Sequence, residues 1–492
     1  SLTGEDHMST PSETSHDNVT ASRGANGLVI RSAIVAALGG LLFGFDTAVI
    51  SGTTGSLQGV FDLGGFGLGF TVATALIGTV IGALFAGIPA DRFGRKNVLF
   101  AIGALYFVSA IGSGIASESV AGWWFFMVAR FVGGLGVGAA SVVAPIYTSE
   151  ISPARLRGRL VGLVQFNVVL GILLAYLSNW LIAQTLSETI AWRWMFLVEA
   201  APALVFFLLV FTLPESPRWL HAKGQQDRAL SVLARLTCSE RELAAETAEL
   251  EHSAEAELSM PHEKLFSRRY RKVILLAIAI AAFNQLSGIN AVLYYAPAIF
   301  EMAGASGDVA LLQSIVVGLV NLVATMAALV VIDRFGRRRL MLVGSIGYVI
   351  SLGAVTAAFF AGDPEAGMSS GASALVLAGL ILFIAAHAFG QGSVIWVFIS
   401  EIFPNRVRAK GQALGSFTHW FFAAVTSWTF PGVAATFGGG AAFLIFLVCM
   451  VGQLIWVLKV MPETKQVPLE EMADTLSPVS YTHLTLPTTP YV

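Results

Sequence analysis

Twelve stretches of this chain are apolar for about the 20 residues that an α-helix needs to cross a bilayer. They fall at roughly 29–52, 70–90, 98–117, 121–145, 160–183, 193–213, 272–300, 311–332, 340–361, 372–397, 411–434 and 438–460. No other feature restricts the fold as tightly. Backbone polar groups inside lipid must bond within their own segment, and a run of this length does so as a helix. Composition agrees: of 492 residues only 12% are charged and 55% are hydrophobic, against about 25% charged in soluble globular chains. That leaves too little polar surface for a water-soluble protein of this size. The 50 glycines also suit membrane helices, which use Gly more often than soluble ones. The first run is too long for a cleavable signal peptide and lacks a small-residue cleavage site. A formal net charge of −2 argues against a nucleic-acid partner. Cys238 and Cys449 lie in a polar loop and an apolar run, and build neither a disulfide framework nor a metal set.

Lys and Arg concentrate in alternate loops. Arg92, Arg95 and Lys96 follow the second run, and Arg155, Arg157 and Arg159 the fourth. Arg334, Arg337, Arg338 and Arg339 follow the eighth, and Arg406, Arg408 and Lys410 the tenth. The positive-inside rule then puts both termini in the cytoplasm. The same loops reveal a repeat. "DRFGR" at Asp91–Arg95 returns at Asp333–Arg337, and "SEISPARLR" at Ser149–Arg157 returns as "SEIFPNRVR" at Ser400–Arg408. "PESPR" from Pro214 is echoed by "PETK" from Pro462. Three motifs in one order and at nearly one spacing divide the chain into two six-helix halves in parallel orientation.

The expected organisation is therefore a Ser/Thr/Asn-rich disordered tail at 1–27 and a first six-helix bundle at 28–213. A polar linker follows at 214–270, then a second bundle at 271–461 and a cytoplasmic tail at 462–476. The Thr/Pro-rich stretch 477–492 differs in composition and is expected to be appended sequence of expression or read-through origin. Glu/Arg spacing in the linker predicts short amphipathic helices, which act either as a latch bracing the halves or as a solvated connection.

Polar residues interrupt the seventh run, "NQLSGINAVLYYAPAIF" from Asn284 to Phe300. Amides both donate and accept, as a polyhydroxylated ligand requires, and aromatic rings cover its apolar faces. Gln285, Asn290 and Tyr294 supply these types, and the last two, four apart, share a helix face. Gly288 and Pro297 favour a local break of the kind that lines a cavity in transporters. The alternative is hydrogen bonding between packed helices. Asp46 and Arg130 lie inside the first and fourth runs. A charge at the bilayer centre costs roughly 2.5–3.5 kcal/mol on insertion scales, so such residues are paired or functional. "GLGVGA" at Gly134–Ala139 fits a loose dinucleotide pattern but follows no strand; its small residues permit close helix packing.

Taken together, "DRFGRK", "PESPRWL", "NQLSGINAVLYYAP", "DRFGRRR", "SEIFPNRVR" and "PETK" resemble the sugar porter branch of the major facilitator superfamily. The resemblance spans about residues 29–468. The first run, "LGGLLFGFDTAVISGT", is most similar to that of the bacterial proton-coupled monosaccharide members. It implies an all-α membrane protein, twelve helices in two pseudosymmetric bundles, with short cytoplasmic helices between them. It also implies further substrate contacts: Gln165, Asn284, Asn321, Trp396, Trp420, Phe43 and His387 beside Gln285, Asn290 and Tyr294. Several positions depart from the pattern: Asn284 replaces the first of two glutamines, and His387 stands where a phenylalanine is usual. His419 replaces a Gln or Asn, and Ser393 a proline. Asp46 matches the proton-coupling aspartate and Arg130 its partner. Arg95, Glu150, Arg157 and Glu215, mirrored by Arg337, Glu401, Arg408 and Glu463, match ion pairs that close the cytoplasmic side.

The expected function is a proton-coupled symporter importing a pentose or hexose by alternating access. Alternatives are a uniporter of the same fold and a sugar sensor that does not transport; a sensor would need a long cytoplasmic extension. No nucleotide loop, metal cluster or nucleophile–base set suggests an enzyme, and no cofactor is expected. The expected partners are a monosaccharide, a proton and the lipid bilayer. The chain is expected to be a monomer in a bacterial cytoplasmic membrane.

Overall fold

A computed structural model describes residues 26–465 together with Val467 and Leu476. The expected tail through residue 25, most of 466–476 and all of 477–492 lie outside the described residues.

Every apolar run is a helix, and most helices outreach the run that announced them. The run at 121–145 belongs to Val120–Ile151, and that at 160–183 to Ala154–Thr185. Apolarity marks the part facing lipid or core, whereas backbone hydrogen bonding continues into polar turns at either end. The first five spans are Gly27–Val49, Gly65–Phe85, Arg95–Ile115, Val120–Ile151 and Ala154–Thr185. Span six is divided into Glu188–Leu197 and Ala200–Val210. Span seven is divided into Arg271–Leu286 and Ile289–Met302. Spans eight and nine are Gly307–Phe335 and Arg337–Phe360. Span ten is divided into Ser370–Phe389 and Gln391–Ile402, and spans eleven and twelve are Arg408–Phe437 and Gly439–Lys459. Eleven of the twelve are both long and apolar enough to cross a membrane. Span eleven has the length, 30 residues, but Ser416, Thr418, His419, Thr426 and Ser427 dilute its apolarity. A membrane helix with that many polar side chains faces something other than lipid.

The breaks have local causes. Gly288 sits at φ 88°, a left-handed conformation that glycine adopts without Cβ strain. A second kink follows at Tyr295 (φ −120°, ψ 17°), two residues before Pro297, whose ring displaces a helical hydrogen bond. In span ten the bend falls at Gly390 (φ −100°, ψ −103°). It forms without the proline usual at position 393; Ser393 Oγ bonds back to the carbonyls of Phe389 and Gly390, 3.2 Å each.

Spans one to six and seven to twelve form two bundles. They meet chiefly where span two crosses span eleven and span five crosses span eight. A Cβ on Gly69 would lie 1.8 Å from the Trp428 carbonyl oxygen, so only glycine allows the first crossing. Phe70 then packs on Trp428 with ring centroids 5.2 Å apart. Near the second crossing the Tyr176 hydroxyl donates to the Leu293 carbonyl at 2.6 Å, and Gln184 donates to Asp308 at 3.0 Å. These contacts lie toward the end away from the repeated arginine motifs. At the arginine-bearing end the ties run through the linker, helices Pro217–Ala222, Gln226–Leu236 and Glu240–Ser259. Glu242 and Glu249 receive Arg155 and Arg157 of the first half, each at 3.2 Å. Glu263 receives Arg406 of the second half at 2.8 Å and accepts the Tyr270 hydroxyl.

Candidate functional site

The break at Gly288 sets Gln285 and Asn290 at the junction of two helix segments, where their amides answer one another. Asn290 donates to Gln285 Oε1 at 2.8 Å, and Gln285 donates to Asn284 Oδ1 at 2.9 Å. Gln285 Nε2 also lies 2.9 Å from His419 Nε2. Asn284, expected among the substrate contacts, turns into the second half instead: it donates to Gln391 Oε1 at 3.2 Å and is 2% exposed. Being shorter than glutamine, it meets Gln391 behind Gln285 rather than reaching forward. Gln391 donates to Gln453 Oε1 at 2.7 Å, and Gln453 to Ser345 Oγ at 2.7 Å. A buried amide left unpaired costs about 1–3 kcal/mol, so this chain of bonds fixes the front pair in place. The sequence reading missed Gln391, Gln453 and Ser345. Gln453 was the available clue, as the one amide in span twelve.

Aromatic rings extend the site across both halves. Trp396 stands 5.1 Å from His419, His419 stands 4.6 Å from Trp420, and Trp420 meets Phe43 of span one at 6.1 Å. Trp396 is 42% exposed, the others at least partly buried. The Tyr294 hydroxyl faces Thr47 of span one. Asn321 lies one turn from Gly318, where span eight approaches Leu173 and Tyr176, and accepts a hydrogen bond from Thr325 at 3.4 Å. Gln165 is exposed on span five, on the face that carries Ile172 and Tyr176. Gln285, Asn290, Trp396, Trp420 and Phe43 thus form one connected set through His419, with Tyr294, Asn321 and Gln165 on elements that face it. His387 stands apart: its Nδ1 lies 2.5 Å from the Tyr348 hydroxyl of span nine, inside the second half.

A different chemistry occupies the first half. Arg130 Nη1 lies 3.1 Å from Asp46 Oδ1, each side chain 2% exposed. Arg130 also donates to the Asp46 carbonyl at 3.3 Å and stacks over Phe196 at 5.4 Å. Glu199, at the break in span six and 1% exposed, comes within hydrogen-bond reach of Asp46. The sequence reading missed it, although it is the lone carboxylate inside the sixth apolar run. Two carboxyl groups and one guanidinium balance only if one carboxyl carries a proton. An uncompensated buried charge costs several kcal/mol, so the cluster is built to hold one.

The repeated motifs produce near-mirror ion pairs. Arg95 reaches Glu150 at 2.9 Å and Asp91 at 2.9 Å, while the Glu215 carboxylate takes the Arg95 backbone N–H at 3.1 Å. Arg337 reaches Glu401 at 2.6 Å and Asp333 at 3.4 Å, and Glu463 takes the Arg337 N–H at 3.1 Å. Burial pushes the Glu215 carboxyl up from its ordinary value, against the pull of three backbone N–H donors. Arg157 and Arg408 each cap a carbonyl eight residues back, Ser149 at 3.0 Å and Ser400 at 2.9 Å. The sequence reading expected these residues to close one side of the protein. In this structure each pair joins elements of its own half, because both partners belong to the same repeat.

The family described as Sugar (and other) transporter matches residues 32–476. The D-xylose-proton symporter of Escherichia coli (strain K12) is 38% identical over 475 residues, covering 89% of this chain and 94% of that protein. The glucose transport protein of Synechocystis sp. is 36% identical over 458 residues, covering 89% and 95%. The fold is similar to a partially occluded inward open conformation of the xylose transporter XylE from E. coli, with a TM-score of 0.79 at 36% identity, covering 90% and 99% of the two chains.

Proposed function

This chain belongs to the Sugar (and other) transporter family, and from that premise we propose that it is a proton-coupled symporter importing a pentose or hexose by alternating access. The observation that carries the proton is the sealed cluster of Asp46, Arg130 and Glu199, with one carboxylate more than its arginine can neutralise. The sugar is received by amides and rings at the junction of the halves: Gln165, Gln285, Asn290, Tyr294, Asn321, Trp396, Trp420 and Phe43. Asn284 holds that wall from behind through Gln285, while His387 braces span ten on Tyr348. His419, bonded to Gln285 and flanked by both tryptophans, belongs to the same wall.

Coupling follows from adjacency. Phe43 and Asp46 lie less than one turn apart on span one, and Phe43 touches Trp420 of the other half. Protonation of the acidic cluster loosens the hold of Asp46 on Arg130, and span one then moves against the sugar wall. A proton changes the balance of the two facing states by as much as its binding differs between them. The ion pairs of Arg95, Glu150, Arg157 and Glu215, and of Arg337, Glu401, Arg408 and Glu463, stiffen each half for that motion. When the cytoplasmic ends approach, these charges meet across the gap and bias closure.

The protein spans the membrane many times. The arginine loops favour both termini in the cytoplasm of a bacterial cell, with a monomer in lipid as the working unit. Contacts gathered at the opposite end support an inward-facing arrangement. The test is sugar uptake by right-side-out vesicles in a lightly buffered medium. Symport alkalinises the medium in step with uptake; uptake with no change in external pH would show a uniporter.

A further inference from the structure

Buried hydroxyls in membrane helices ordinarily bond back to a carbonyl one turn earlier. Thr71, Thr79, Thr148, Ser314 and Ser345 do so here, at 2.6–2.9 Å. Ser109 and Ser113 of span three do not. Their hydroxyls are buried and have no hydrogen-bond partner among the described residues. The Tyr106 hydroxyl on the same helix is likewise unpartnered and fully buried. Positions 106, 109 and 113 share one face of a helix. That face looks at the charged cluster: Tyr106 feels both Asp46 and Glu199. Arg130 Nε and Glu199 Oε1 are also unpartnered. Thus five of the thirteen buried side-chain polar atoms without a partner among the described residues belong to one seam.

Each lone hydroxyl buried without a partner costs about 1–3 kcal/mol, a cost that internal water removes where the site is polar and roomy. Gly133 of span four lets its helix close onto this face. A Cβ there would lie 2.3 Å from Ser109 Oγ and 3.5 Å from Asp46 Oδ1. The two oxygens are therefore near enough for a single water, which spans roughly 5.6 Å when it bonds both partners at ordinary length. From Asp46 the stripe rises along span three toward the end away from the arginine motifs. There Arg193 donates to the carbonyls of Gly114 at 3.1 Å and Ala116 at 2.6 Å, and lies 3.6 Å from Glu118. Trp192 and Phe126 pack beside it with ring centroids 6.5 Å apart, and the buried Trp192 indole N–H also has no partner among the described residues.

We propose that Tyr106, Ser109 and Ser113 line a water-filled seam inside the first half, by which the coupled proton reaches and leaves the Asp46–Glu199 pair separately from the sugar path. The proposal rests on the proton-coupled reading above. In each transfer a hydroxyl or water takes one proton and releases another to its neighbour, so the seam ends neutral and the carboxyl pair gains or loses one proton. The charged and titratable groups facing it are Asp46, Arg130, Glu199 and Tyr106, with Arg193 and Glu118 at its outer end.

Two measurements on the reconstituted full chain test this. Ser109→Ala with Ser113→Ala should slow sugar uptake driven by a pH gradient about tenfold and leave sugar counterflow, which needs no net proton movement, near the parental rate; intact counterflow also shows that the variant is folded. In the parental protein, brief X-ray radiolysis should label Tyr106 despite its burial, because hydroxyl radicals form from waters bound beside it. Driven uptake by the double variant at the parental rate, or an unlabelled Tyr106, overturns the seam. If the parental protein itself produces no sugar-linked alkalinisation, the proton-coupled reading fails and the seam's role as a proton path fails with it. Normal alkalinisation with an indifferent double variant sinks the seam alone.

Discussion

The two halves share a sequence repeat and a helix plan, yet bury opposite kinds of polar group at their centres. The first half encloses Asp46, Arg130 and Glu199. The second encloses Asn284, Gln285, Gln391 and Gln453, all neutral. The difference has a physical meaning. An ion cluster out of water is held together by its partners and responds strongly to one proton. A network of amides barely responds to pH but offers donors and acceptors together, the pattern that suits hydroxyls. One half thus specialises in charge and the other in neutral polarity, and the Phe43–Trp420 contact joins them.

The largest break in that comparison should come from Arg130→Leu. It strands buried carboxylates and is expected to cost about 3–5 kcal/mol of stability, read as a lower unfolding temperature in detergent. Asp46→Asn removes the proposed seat of the proton but keeps the shape. Exchange of labelled sugar across vesicles should persist, while uphill accumulation disappears; a variant that still concentrates sugar would refute the division of labour. On the neutral side, Gln285→Ala should weaken sugar binding roughly 10- to 100-fold, the loss of one or two buried hydrogen bonds, measured by calorimetry. Gln391→Ala, one bond further back, sharpens the contrast. It should lower stability by about 1–3 kcal/mol and affect binding less than Gln285→Ala does.

The smallest effect belongs to the surface. Glu263→Gln should cost no more than about 1 kcal/mol, since the partner Arg406 is exposed. The Tyr270 hydroxyl, then Arg406, hold the Glu263 carboxyl below its usual value. Because the folded value is depressed, the stabilisation is complete above the ordinary carboxylate value of about 4.3 and is lost as pH falls through the depressed one. Thermal unfolding of parent and variant across that acid range should therefore converge at the low end.

Much of this was legible in the chain. Span number and helix content follow from apolar length, since lipid leaves the backbone no alternative. The repeat was visible because arginine motifs at the membrane edge recur nearly unchanged. Gln285, Asn290, Asp46 and Arg130 stood out as polar groups in apolar runs. Glu199, Gln391 and Gln453 also interrupt apolar runs but were passed over, because one polar residue in a run does not say which neighbour it meets. Asn284 and His387 illustrate the limit: each lies on a span that carries site residues, and only the turn of the helix directs it inward, to Gln391 and to Tyr348.

What the sequence determined by itself is the set of membrane helices, their pairing into two related halves and the inventory of polar groups they carry. Those are local properties, decided by transfer from water to lipid residue by residue. Tertiary structure alone decided which of those groups meet: that three ionisable side chains share one enclosure, that amides from spans seven, ten and twelve form one chain, and that Ser109 lies across Gly133 from Asp46. Such meetings depend on distances of a few ångströms between helices far apart in sequence. Helix crossing, set by glycines such as Gly69, is what fixes them.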